Sequence, residues 1–87
     1  MKDEALKRIA DSGVAPGQRY RHFKSGTIYL VVAVGLFEAD LEPLVHYRID
    51  DDEYGVVWTR HLGVFCGRSL QTGTQPNAVL VKRFELI

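Results

Sequence analysis

Eighty-seven residues are enough for one hydrophobic core and no more, since a chain this short buries only about two thirds of its unfolded surface. With 46% hydrophobic and 25% charged residues, the composition is that of an ordinary globular domain and excludes the disordered and fibrous classes. Eleven Lys and Arg balance eleven Asp and Glu, so the whole chain lacks the positive excess with which duplex nucleic acid is held by counterion release.

The charge is nevertheless uneven. Glu38, Asp40, Glu42, Asp50, Asp51, Asp52 and Glu53 fall between residues 38 and 53 against Arg48 alone, while Lys2, Lys7, Arg8, Arg19, Arg21 and Lys24 dominate the start, so two oppositely charged regions are expected. Cys66 is the single cysteine and cannot form an internal disulfide, which points to a reducing, cytoplasmic setting. The start, Met1-Lys2-Asp3-Glu4-Ala5-Leu6, has no signal-peptide pattern, and the apolar stretch 28 to 37, broken by Gly35, is too short for a membrane-spanning helix. No membrane is expected as a partner.

Residues 2 to 12 read as a short helix, with Ala5, Leu6, Ile9 and Ala10 on one face and Gly13 with Pro16 as its stop. From Gln18 the period becomes two, with Tyr20, His22 and Lys24 on one side and Arg19, Arg21 and Phe23 on the other, ending at Ser25-Gly26. Residues 27 to 37 read as a long central strand covered on both sides, with a bend or bulge at Gly35. After a turn at Asp40-Leu41-Glu42-Pro43, residues 44 to 49 form a third strand with Val45, Tyr47 and Ile49 facing the core. An acidic loop, 50 to 55, leads to a fourth strand, 56 to 60, in which Val56, Trp58 and Arg60 share a face.

Residues 62 to 70 are ambiguous between helix and loop, and the spacing of Leu62 and Phe65 with Gly63 and Gly67 suggests one helical or 3₁₀ turn. Residues 71 to 77 read as a loop holding Gly73 and Pro76, and 78 to 86 as a closing strand. The fold class is therefore mostly β, a small, partly open five-stranded barrel behind a short N-terminal α-helix. It forms a single domain, with helix and linker over 1–15 and the barrel over 16–87.

The chemistry-bearing residues are few. His22, His46, His61 and Cys66 suit zinc chemically, but their spacings match no ligand-pair pattern, and the run Asp50-Asp51-Asp52-Glu53 lacks the alternation and glycine of a calcium loop. No metal and no cofactor is expected. Cys66 and His61 are the one nucleophile and base pair close in sequence, five residues apart, and Phe65 beside Cys66 suggests that the thiol is buried and inert. No catalytic residue is assigned.

Tyr20, Arg21, His22 and Lys24 on the first strand, with Trp58, Arg60 and His61 on the fourth, mix aromatic and basic side chains as small barrels that bind single-stranded nucleic acid do. The competing reading makes Tyr20 and Trp58 core residues and pairs Arg21 and Arg60 with the acidic region.

The residues Gly17, Tyr20-Arg21-His22-Phe23-Lys24, Tyr29, Val32, Glu42-Pro43-Leu44-Val45, Tyr47, Trp58 with Arg60, Phe65 and Arg83-Phe84 resemble the bacterial domain-of-unknown-function family 1653 over about residues 16 to 86. The resemblance implies an SH3-like β-barrel and no established activity. Trp58-Thr59-Arg60-His61 departs from the tryptophan-valine-arginine-proline usual in that family, and the loop before the last strand differs in composition. The resulting expectation is a non-catalytic binding or interaction module using Tyr20, Arg21, His22, Trp58, Arg60 and His61. Its candidate partners are another protein, single-stranded nucleic acid and a second copy in a homodimer; histidine acid and base chemistry is the enzymatic alternative.

Overall fold

Period-two segments rich in valine, isoleucine and tyrosine favour a pleated surface with one side covered, and here they assemble into a five-stranded antiparallel sheet and a separate two-stranded one. The structure, a computed structural model, describes residues 2–71 and 79–87. After α1 (Lys2–Ser12) come β1 (Arg19–His22), β2 (Ile28–Leu36), β3 (Pro43–Ile49) and β4 (Trp58–His61). The one-turn α2 (Leu62–Phe65) follows, then β5 (Arg68–Gln71), β6 (Val79–Lys82) and β7 (Phe84–Leu86). Five strands form a sheet in the order β4-β3-β2-β1-β7, and β5 pairs separately with β6. β4 and β7 are the two edges and do not pair, so the sheet curls without closing into a barrel.

Register fixes what faces inward. Tyr20 lies opposite both Tyr29 and Leu86, His22 opposite Phe84, Val31 opposite Tyr47, and Tyr47 opposite Trp58. Directly opposed residues share a face, so the inner face carries Tyr20, His22, Tyr29, Val31, Val45, Tyr47, Trp58, Arg60 and Phe84. Val14, Tyr20, Val31, Val45, Tyr47, Leu62, Phe65 and Phe84 are buried together, with Ile9, Tyr29 and Val34 packed against them. The aromatics dominate: Phe65 and Phe84 stack with centroids 4.4 Å apart, and Tyr20 meets Phe65 edge-on at 5.0 Å. Tyr47 touches Phe65 at 5.5 Å and Phe84 at 5.4 Å. Such pairs contribute about 0.5–1.5 kcal/mol each beyond the area they bury.

α1 joins this core through fewer residues than its apolar face suggests. Ala5 is buried and Ile9 packs on the core, whereas Leu6 and Ala10 are exposed. Gly13, with φ of 74°, ends the helix in the left-handed conformation that glycine takes without a Cβ penalty. Gln18 then ties the linker to β1: its Oε1 accepts from Ala15 N and from the Tyr20 hydroxyl, both at 2.9 Å, and its Nε2 donates to Gly13 O at 2.9 Å.

Four features differ from the sequence reading. β2 is not covered on both faces, since Val32 and Ala33 are exposed. The break in its pairing falls between Val31 and Ala33, while Gly35 pairs regularly with Leu44. Residues 62 to 70 contain a strand, β5, beyond the expected turn of helix. The closing strand is two strands, because Arg83 turns out of β6 to donate its N–H to Gly67 O (3.0 Å) and accept at its carbonyl from Phe23 N (3.0 Å). Apart from Gln71, the expected loop at 71 to 77 lies outside the described residues, as does Ala78. Among the described residues no helix is long and apolar enough to cross a membrane.

Phe65, 1% exposed, stacks on Phe84 and meets the rings of Tyr20 and Tyr47. Truncating it to alanine (Phe65→Ala) is expected to cost about 3–5 kcal/mol, read as the shift in the urea midpoint. Leu6→Ala, on the exposed part of α1, should change stability by less than about 1 kcal/mol.

Candidate functional site

Strand alternation sorts the sequence-derived candidates onto two faces. Tyr20, His22, Trp58 and Arg60 point inward, and Arg21 and His61 are exposed on the outside. Tyr20 is a core residue, 7% exposed, its hydroxyl given to Gln18; burial pushes its pKa above the usual 10.0, with Cys66 adding to the shift. Trp58 is the opposite case, half exposed on the edge strand. Arg21 and Arg60 do not pair with the acidic region as the competing reading had it. The side chains that do are Arg19, bonded to Asp50 at 2.9 Å, and Arg8, bonded to Glu42 at 2.9 Å, which also joins what the sequence presents as separate basic and acidic regions.

Arg60 spans the gap between the two sheet edges. Its Nε donates to the Tyr47 hydroxyl at 2.8 Å, and its guanidinium carbon lies 5.4 Å from the centre of the Phe84 ring. A cation over a ring face is held by the ring quadrupole, so one inward side chain links β4 to β7 although the two strands share no backbone ladder. His22 packs edge-on against the same Phe84 ring at 5.1 Å and lies tilted against Phe23 at 5.1 Å.

His22 thus sits among cations. Its pKa is held below the usual 6.5, first by partial burial and then by Arg60, Arg83 and Lys24. The hydrogen bonding agrees, because Nδ1 accepts from Lys24 N at 3.2 Å and a protonated ring has no acceptor. Arg83 donates to the Val64 carbonyl at the end of α2. Among the described residues, neither Arg60, Arg83 nor Lys24 makes an ion pair with a carboxylate. Beside this cluster Arg21, His22, Phe23, Gly26, Val81, Lys82 and Glu85 line a cleft of about 260 Å³. Arg83 and Lys82 escaped the sequence reading, because alternation alone does not bring β6 and β7 beside the β1–β2 turn.

The other histidines lie elsewhere. His46 Nδ1 is 2.9 Å from Thr59 Oγ1 across the β3–β4 pair, a histidine and hydroxyl contact that thirteen residues of separation conceal in the sequence. It lies on the outer face, away from the aromatic core. His61, at the start of α2, makes no side-chain cap bond. Cys66 is exposed rather than buried, because the turn of α2 points Phe65 inward and leaves Cys66 outside. Desolvation still raises its thiol pKa, against the opposing pull of Lys82, so the sulfur stays protonated at neutral pH. Among the described residues no three His, Cys, Asp or Glu side chains come together as a metal site would require.

The family model for DUF1653, described as a protein of unknown function, matches residues 18–86. The chain belongs to the DUF1653 family. No curated protein and no solved structure matches it. The DUF1653 match begins at Gln18, so the inner-face residues from Tyr20 to Phe84 fall inside it and α1 precedes it.

A histidine whose pKa is lower folded than unfolded binds more protons in the unfolded chain. The neutral ring's full contribution to stability is present above 6.5 and is lost as the pH falls from there through the folded value. Urea unfolding at pH 7.5 and 5.5 should therefore show a loss of stability on acidification that is smaller in His22→Gln.

Proposed function

We propose that this DUF1653 domain is a non-catalytic binding module for anionic chains, single-stranded nucleic acid being the ligand class, held at the inner-face end where β1, β4 and β7 meet. The observation that carries this reading is the set of Arg60, Arg83 and Lys24 around His22, none of them paired with a carboxylate among the described residues. Unneutralised cations repel one another, and a phosphate placed among them relieves that repulsion while gaining charge-assisted hydrogen bonds.

A second feature selects the ligand class. Trp58 stands on the same face of β4 as Arg60, two residues away, which places the two side chains roughly 7 Å apart along the strand. Half of its surface is exposed, so a ring can stack there, a contact that contributes about 1–3 kcal/mol per base and tolerates any base. Single strands offer unpaired rings next to phosphates. A duplex does not, and the balanced net charge gives no general affinity for one.

The test is a titration of isotopically labelled protein with oligo(dT) and oligo(U), followed through backbone amides and the Trp58 indole. Shifts centred on His22, Lys24, Trp58 and Arg60 are expected, and Lys24→Glu should weaken binding several-fold at unchanged melting temperature. Three phosphate contacts predict that raising salt from 100 to 300 mM weakens a single strand by about tenfold. Absence of shifts at millimolar oligonucleotide, or affinity indifferent to salt, would remove the reading.

A further inference from the structure

β4 is an edge strand, paired on one side with β3. An open edge exposes a row of unpaired backbone N–H and C=O groups, and proteins ordinarily blunt it with lysine, proline or a bulge. Here the approach to that edge is apolar and uncovered: Tyr54 is 93%, Val56 64%, Val57 49% and Trp58 50% exposed. The opposite edge, β7, is only three residues long and offers far less.

We propose that β4 pairs antiparallel with β4 of a second copy of this chain, about a twofold axis perpendicular to the sheet. The charges on the segment select this occupant. Asp51, Asp52 and Glu53 precede the apolar stretch and Arg60 and His61 end it. Antiparallel self-pairing sets the acidic start of each copy beside the basic end of the other, whereas a parallel arrangement sets like beside like. The twofold satisfies both ends at once, and a chain of zero formal net charge opposes the approach of a copy with no overall repulsion.

The existing backbone limits the register. Asp52 N donates to Ile49 O at 3.1 Å and Gly55 N to Asp52 O at 3.0 Å, so residues 50 to 55 are taken up in turns and the free edge runs from Val56 to His61. A twofold perpendicular to the sheet keeps each residue on its own face, so a residue is opposed only by one an even number of places away. The pairing is centred on Val57, which opposes its own copy with Val56 opposite Trp58, and this register brings the acidic turn at Glu53 of each copy nearest the Arg60-His61 end of the other.

Sedimentation equilibrium from about 5 µM to 500 µM tests the proposal. A reversible monomer and dimer equilibrium is expected, and Val57→Lys, which sets two like charges near the axis at a half-exposed position, should weaken it by at least tenfold. As a second variant, Val57→Cys on a Cys66→Ser background should form an intermolecular disulfide under mild oxidant, faster than Cys introduced at exposed Val32 on the same background. A protein monomeric throughout that range would overturn the proposal and leave the edge for an extended peptide of another protein. A dimer indifferent to Val57→Lys with no preferential crosslink at position 57 would also overturn it, placing the contact on another face.

Discussion

Phe84 is the residue through which this small fold is closed. Its ring stacks on Phe65, meets Tyr29, Tyr47 and His22 edge to face, and lies under the Arg60 guanidinium. These contacts draw on β1, β2, β3, β4 and α2 while Phe84 itself belongs to β7. The edges of the curled sheet share no hydrogen-bonded ladder, so aromatic packing and one cation over a ring replace the ladder that would close a true barrel. A chain of this size has little apolar surface to spare, and concentrating large rings at the closure makes the most of it.

That closure also determines where charge is left over. Arg8 and Arg19 reach the acidic loops and are neutralised. Arg60 is held inside by Tyr47 and Phe84, and Arg83 is held by the end of α2, so both keep their positive charge on the side where His22 emerges. The same packing that stabilises the fold therefore fixes a cationic patch and suppresses protonation of the histidine beside it. Shape and electrostatics here have a single origin.

Much of the architecture was legible in the residues because period-two alternation is a direct consequence of strand geometry. Val45 and Tyr47 were recognisable as inward-facing, although Ile49, read with them as core, is exposed at the end of β3, and the first four strands differ from the expected ones by a few residues at their ends. β5 was not legible, since Arg68-Ser69-Leu70-Gln71 carries one apolar residue and no alternation. The irregularity in β2 fell beside Val32, a β-branched residue with no bulge signature, and not at the glycine that advertised itself. At the candidate site, alternation placed Tyr20 and His22 on one face and separated Arg21 from them. It could not reveal that Arg60 meets Phe84 or that Arg83 approaches His22, because those contacts arise only when distant strands curl together.

Arg83 has one more consequence. Its N–H bonds to Gly67 O, and a Cβ at Gly67 would come within 3.2 Å of the Arg83 guanidinium and of the Gly63 and Val64 carbonyls, so the chain leaves the core and returns to it at nearly one point. β5 departs and β6 returns at this one clamped point. Lengthening a chain between ends that already meet costs only about 0.6 kcal/mol for each doubling of its length, so the clamp lets the distance in sequence from Gly67 to Arg83 change at small cost to the five-stranded sheet.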